Sequence, residues 1–495
     1  MYRLGIDVGG THVDFALVDR QDKLVYGCKS LVEIDTVAAI IKGIKKLQQE
    51  FAFNFDQLSS IHVGTTLAVN SLLELKSLYK VGLLRLAGHN PDLPPAYLWP
   101  KAQRDVILAG YETVAGGREY NNVSCRPLNP DEIIAAVKKL IAAGAESLAL
   151  IGVFSSIYAE DELLAADIIQ NQFSIPMSLS HELGGIGFIE RENATILNAT
   201  LKKVLTEGLS SLKREIQKLG YQGECLISQN NGTVFSLEEA MRFPVKTISS
   251  GPTNSLVGAS KLAQCLNAIV VDIGGTSTDI GIVENGFPVY SSRGGLVAGI
   301  SSNLVTPDIV ALAIGGGSII RKIENNFSIG PDSVGAALFN RCQSHGGPDF
   351  TFYDVSQSTD NPVNARIMAD FIDQIKTAIL TLVPKINKPI LFVGGGSRNI
   401  PDRFFDENVY RPQHFEVANA YGAALSEVSG QVDCIIKTKD RESQLSILES
   451  EAKSLAIKKG AVPSSIRIIE KRILPLFYMQ EPMLRILVTA SGKKA

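Results

Sequence analysis

LGIDVGGTHVDFALVD (Leu4–Asp19) and IVVDIGGTSTDIGIVE (Ile269–Glu284) are the two stretches on which the reading of this chain turns. Aligned on Asp7 and Asp272, they share an Asp, two glycines, a Thr, a second Asp and a late Val. In each, apolar residues run into Asp-x-Gly-Gly-Thr and an alternating apolar stretch leaves it. That is the pattern of two strands joined by a short glycine turn. The copies lie in different halves of the chain, far beyond the roughly 20–50-residue period of a solenoid. They predict a duplicated domain with one glycine turn in each half.

The turns carry a definite chemistry. Glycines lacking Cβ let the backbone approach an anion and aim several N–H groups at it. The expected phosphate contacts are Gly9, Gly10 and Thr11 in one copy, and Gly274, Gly275 and Thr276 in the other. Asp7 and Asp272, at strand ends, are the expected magnesium ligands and catalytic carboxylates, because that ion prefers hard oxygen donors. Two such turns facing each other would clamp a polyphosphate. Asp14 and Asp279 hold equivalent places on the outgoing strands. Either polarises an attacking group, shapes the metal shell, or satisfies nearby backbone N–H groups. No Gly-x-x-x-x-Gly-Lys-Ser/Thr loop or strand-linked Gly-x-Gly-x-x-Gly offers a rival nucleotide site.

Other turns fit the same cleft. Gly394, Gly395 and Gly396 follow the apolar LFV, where bare backbone either lies flat against an adenine or ribose or makes a strand-to-helix turn. Gly315 and Gly316, with Gly317, read as a ligand loop or as a simple turn. Thr65 and Thr66, in GTTLAVN (Gly64–Asn70), either reach phosphate or substrate or cap the next helix. His12 and His62 lie beside these motifs, and lone histidines are more often structural than catalytic.

The 495 residues suit two or three domains. With 48 basic and 51 acidic side chains, net charge −3, no electrostatic argument points to nucleic acid or a membrane surface. A small-molecule substrate or another protein is the expected partner. The six cysteines are scattered without a Cys-x-x-Cys pair, which predicts neither a close-paired metal cluster nor a disulfide framework. MYRLGIDVGG enters a strand at once and carries no leader, and no apolar run reaches the roughly 20 residues of a membrane span. A reducing cytoplasm is expected.

Helical spacing marks residues 36–49, 131–143, 161–172, 254–263 and 364–383, with a long helix over 190–219 bridging the halves. Strands are expected at 60–66, 148–154 and 390–393. Residues 88–122, rich in Pro, Gly and Tyr and holding the single Trp99, read as a long loop. The expected division is 1–180, 181–435 and a small α+β appendage at 436–495. In that appendage, 441–459 is helical and 465–470 and 483–489 are strands.

Four longer motifs extend the reading: GIDVGGTHVD (Gly5–Asp14), GTTLAVNSLLE (Gly64–Glu74), SQNNGTVFSLEEAMRFPVKTISSGP (Ser228–Pro252) and DIGGTSTDIGIVENG (Asp272–Gly286). GGGSI at Gly315 and GPDSVGA at Gly330 add to them. Together they resemble the hydantoinase/oxoprolinase family of the actin/hexokinase/Hsp70 superfamily, over about Arg3 to Val432. The resemblance implies an α/β fold of two duplicated ribonuclease-H-like domains with ATP and Mg²⁺ in the cleft between them. It implies ATP-dependent activation of an amide, lactam or ketone carbonyl, often with a second, hydrolase-type subunit. It also places Asn230, Asn231, Gly232, Ser250 and Gly251 in family motifs near the cleft, as the expected substrate contacts. The chain departs from the pattern at Val13, where the family usually has Thr, and at Val310, where many members have His. After GPDSVGA, LFNRCQSHGG (Leu338–Gly347) stands in place of the usual Asp-Pro-Gly-Pro-Ala-Cys-Tyr-Gly run.

Three function classes follow: an ATP-dependent cyclic amidase, a small-molecule kinase of the same superfamily, and a reactivase- or chaperone-like ATPase module. Self-assembly into a homo-oligomer is compatible with all three.

Overall fold

Apolar residues on both faces of Leu4–Val8 and Val13–Val18 require a strand pair covered on each side, and that is what forms. Tyr2–Val8 and His12–Val18 pair antiparallel, with Asp7 opposite Asp14. The second copy repeats this with Ala268–Ile273 and Thr278–Glu284, where Asp272 lies opposite Asp279. Each opening strand is flanked on its other side by a parallel strand, Leu58–Gly64 in the first half and Ile390–Val393 in the second. The duplication read from two short motifs therefore extends to register. The computed structural model describes residues 1–494 except 33–35, 88–92, 292–293, 325, 406 and 477–480.

Three sheets organise the described chain. The first has nine strands in the order Arg467–Leu476, Met483–Gly492, Glu427–Lys437, Thr233–Ser236, Glu224–Ser228, Leu58–Gly64, Tyr2–Val8, His12–Val18, Leu24–Leu31. The second has five, built around the hairpin at Asp272. The third is a four-stranded parallel sheet of Leu108–Val114, Val81–Leu86, Ser147–Gly152 and Met177–Leu179.

Helix patterning matches the expected spans to within a few residues. The Thr36–Phe51 helix buries Ala39, Ile40, Gly43, Ile44 and Leu47, the one-sided stripe of a helix lying on a sheet. The 31-residue helix Phe188–Lys218 packs on Ser147–Gly152 of the third sheet, on the helices over the first, and on strand Ile300–Ser302 of the second half. It is the bridge that the sequence predicts. Arg85 and Glu192 meet beneath it, both fully buried, with Nε–Oε2 2.7 Å and Nη2–Oε1 2.8 Å. A doubly bonded pair is the form in which buried charge is tolerated.

Two expectations are corrected or refined. Residues 88–122 are not a continuous loop. Helix Lys101–Ile107 and strand Leu108–Val114 lie within them, the strand pairs parallel with Val81–Leu86, and Trp99 is buried with Nε1 donating to Asn193 Oδ1 at 2.8 Å. The start of that stretch, 88–92, lies outside the described residues. Turn-forming residues concealed a short strand whose burial pattern carries no clean alternation. The tail has the expected helix (Arg441–Lys458) and two strands, but both strands join the first sheet through Glu427–Lys437. No helix among the described residues is long and apolar enough to cross a membrane.

Candidate active site

The halves meet at their glycine turns. A Cβ on Gly10 would lie 3.3 Å from Thr276 Oγ1, and one on Gly275 would lie 2.6 Å from Thr11 Oγ1. Each threonine thus sits against the glycine of the opposite turn. The Gly315–Gly317 turn backs the second copy: Gly316 N donates to Gly274 O at 3.0 Å and Gly317 N to Gly275 O at 2.6 Å. It buttresses the second glycine turn rather than standing apart from it. Gly394, at φ +81°, leaves no room for a side chain beside the Asp272 carboxylate, while Gly395 faces open space. Gly64 has the same relation to Asp7 in the first half.

The four acids differ in their surroundings. Asp7 is buried, receiving Asn254 Nδ2 at 3.0 Å on Oδ1 and Asn419 Nδ2 at 3.1 Å on Oδ2. Burial pushes it up to about 7 against the Asn254 hydrogen bond, with the charges of Asp14 and Asp272 adding to the rise. Asp272 accepts from Ser255 Oγ at 2.5 Å and is also raised, mainly by burial. Asp279 rises to about 7 through burial and the nearby Asp272. Asp14 instead pairs with Lys29 Nζ at 2.6 Å and takes Asn419 Nδ2 at 2.8 Å. Burial thus raises Asp7 and Asp279 alike, whereas Asp14 has a cationic partner.

Does the donor set fit magnesium? Among the described residues no group of three or more His, Cys, Asp or Glu is placed to hold a metal. Magnesium keeps several waters and takes one or two carboxylates plus substrate phosphates. Asp7 and Asp272 beside two glycine turns match that requirement. Two buried oxygens without partners among the described residues, Ser250 Oγ and Asn254 Oδ1, stand one turn apart on helix Ser250–Leu262.

Sequence reasoning missed the residues that hold these acids. Asn254 and Ser255 are adjacent on that helix, one touching Asp7 and the other Asp272. Asn419 belongs to helix Ala418–Leu425 and Lys29 to the strand opposite Asp14. The signal was present as small residues, GPTNSLVGAS and ANAYGAA, which let the two helices touch. A Cβ on Gly258 would overlap the Ala418 carbonyl, and one on Gly422 the Asn254 carbonyl. The expected substrate residues are mixed. Asn230 bonds the backbone of Val245 and Ser249, and Asn231 bonds Thr233, so both hold loops in shape. Gly232 is a turn at φ +73°. Gly251 faces open space. Thr65 Oγ1 accepts from Leu67 N at 3.2 Å and Thr66 Oγ1 from Asn70 Nδ2, which is helix entry. His62 is buried between Ser60 and the Ala423 carbonyl and held down to about 4 by burial. His12 bonds Thr11.

The description "Hydantoinase/oxoprolinase N-terminal region" matches residues 3–173, and "Hydantoinase/oxoprolinase" matches 191–357. The chain belongs to the hydantoinase/oxoprolinase family. Relatives of this family member include the acetophenone carboxylase gamma subunit of Aromatoleum aromaticum, 25% identical over 72% of this chain and 53% of its own length. The caprolactamase subunit alpha of Pseudomonas jessenii is 26% identical over 79% of this chain and 59% of its own. The chain thus spans little more than half the length of these hydantoinase/oxoprolinase relatives. Two solved structures share the fold over 99% of the chain and 87% of their own. The ATP-dependent caprolactamase from Pseudomonas jessenii superposes with TM-score 0.78 at 19% identity, and nucleotide-free acetone carboxylase with 0.75 at 17%. Where this member departs from the family pattern, apolar residues fill sheet positions: Val13 is fully buried opposite Val8, and Val310 pairs with Ile280.

Proposed function

We propose that this chain is an ATP-dependent amidohydrolase that activates the carbonyl of a cyclic amide by phosphoryl transfer from Mg-ATP. The observation that carries it is the reciprocal packing of the two Asp-x-Gly-Gly-Thr turns, with Asp7 and Asp272 held by one helix. An amide carbonyl is a poor electrophile, and phosphorylating its oxygen converts that oxygen into a leaving group. For such a transfer a protein chiefly positions the reactants and neutralises charge. Backbone N–H groups of Gly9, Gly10, Gly274 and Gly275, with the Thr11 and Thr276 hydroxyls, would hold the phosphates. Asp7 and Asp272 would hold Mg²⁺, which when bound neutralises the developing phosphoryl charge. Lys29, tethered to Asp14, brings a positive charge that also acts on Asp272. Gly395 and Gly396 would lie against the adenosine.

Its relatives include enzyme subunits, and we infer that a second, hydrolase-type subunit completes the reaction. Six cysteines, none of them in a disulfide, suit a cytoplasmic setting. The test is phosphate release from Mg-ATP by the purified protein, with and without a panel of cyclic amides and ketones. Release stimulated by a cyclic amide is the expected result. A stable phosphorylated product would replace this reading with a kinase, and turnover stimulated only by a protein would replace it with a reactivase.

A further inference from the structure

A second cavity, about 420 Å³, opens at the carboxyl end of strand Glu224–Ser228, one strand beyond Leu58–Gly64 and two beyond the strand that carries Asp7. Its wall includes Asn230, whose Oδ1 accepts from Ser249 N at the head of the helix that bears Asn254 and Ser255. Asn230 thus links the cavity to the helix that holds the paired acids. Apolar Leu183, Ile186 and Leu304 line it beside many polar and charged side chains, among them Glu182, Lys246 and Asp433.

Two of those polar groups are not accounted for by the fold. His181 Nδ1 meets Glu162 Oε2 at 2.7 Å. Glu162 is completely buried and also receives Gly152 N, Ser180 Oγ and His181 N at 2.8, 2.5 and 3.0 Å. Burial alone would raise its carboxyl, and the bonds from His181 and the serines outweigh that and keep it ionised. Ser180 is itself fixed by Arg191 Nε at 3.0 Å. The carboxylate thus fixes the orientation of the imidazole: Nδ1–H donates to Glu162, and in the neutral ring Nε2 is an acceptor without a partner among the described residues. The second group is Asn303 Oδ1, which is buried and unpartnered, while its Nδ2 reaches Gly185 O only at 3.5 Å.

We propose that this cavity seats the cyclic amide, with Asn303 as an acceptor that recognises it and His181, oriented by Glu162, as the catalytic base for its activation. The inference rests on the ATP-dependent reading above and adds the residues that would serve the acceptor. The amide N–H proton passes to His181 Nε2, and the N–H bonding pair becomes the second bond of C=N. The carbonyl π pair forms the new O–P bond to the γ-phosphorus, and the P–O bond to ADP breaks. The products are an O-phosphoryl imidate, ADP and a protonated His181.

The test uses the whole chain and three probes: 2-pyrrolidinone, hydantoin and ε-caprolactam. Without nucleotide, a bound cyclic amide slows acylation of His181 by diethyl pyrocarbonate several-fold, read by peptide mass spectrometry, and leaves His345 and His414 unaffected. If none of the three protects His181, the pocket assignment is overturned. Protection without any stimulated ATP turnover keeps the pocket but overturns both the base and the ATP-dependent reading. Where turnover is stimulated, His181→Ala lowers stimulated kcat by about 100-fold or more, the usual worth of a general base. Magnesium-nucleotide binding stays unchanged, and added imidazole restores part of the rate. A variant with wild-type kcat, or a loss that imidazole does not repair, removes the base. Should His181→Ala fail to bind nucleotide, the protection experiment on the unaltered chain decides the pocket, and His181→Gln decides the base by its stimulated kcat.

Discussion

Asp7 and Asp279 owe their raised values to burial, and this has a definite sign. A carboxyl whose folded value exceeds its unfolded one stabilises the fold while protonated. That contribution is complete below about 4, the ordinary carboxyl value, and is lost as pH rises through about 7. In metal-free, nucleotide-free protein it therefore shrinks between pH 4 and 7, and Asp279→Asn flattens that part of the thermal-midpoint profile. The same protons compete with a cation, so magnesium-nucleotide affinity measured by calorimetry should fall as pH drops from about 8 to 6. A profile that is flat in both measurements contradicts the burial argument. Asp272→Ala should abolish Mg-ATP turnover, by about 100-fold or more, with circular dichroism unchanged. At this scale the acids and turn residues were legible, because a duplicated motif displays them twice. Asn254, Ser255 and Asn419 were not legible. An amide or hydroxyl on a small-residue helix looks the same in sequence whether it faces solvent or a carboxylate.

Between elements, the decisive contact is the crossing of helices Ser250–Leu262 and Ala418–Leu425. Gly258 and Gly422 bring backbone against backbone there, and no rotamer adjustment can relieve an added methyl. Gly258→Ala and Gly422→Ala should each cost about 1–3 kcal/mol or more and displace Asn254 from Asp7, lowering both the thermal midpoint and nucleotide affinity. An exposed helical glycine of the same length behaves oppositely, gaining stability on change to Ala. Helix positions were read well because apolar spacing is a local property. The strand at Leu108–Val114 was not, because its residues are only half covered and its identity comes from a neighbour across the sheet.

For the molecule as a whole, the tail is the instructive part. Its helix and strands were legible in sequence, but their attachment was not, since strand pairing between distant segments leaves no local trace. Strand Met483–Gly492 pairs with Glu427–Lys437 from Val428 to Lys437, so a chain ending at residue 435 should expose an unpaired edge. Size-exclusion chromatography of that truncated chain should find aggregates rather than a smaller folded ATPase. A monodisperse, nucleotide-binding product would mean that the first sheet closes without its last strands. The interlocked turns also tie the two halves mechanically. Because Thr11 leans on Gly275 and Thr276 on Gly10, a bulkier residue at either glycine must push on the opposite half as well as on its own.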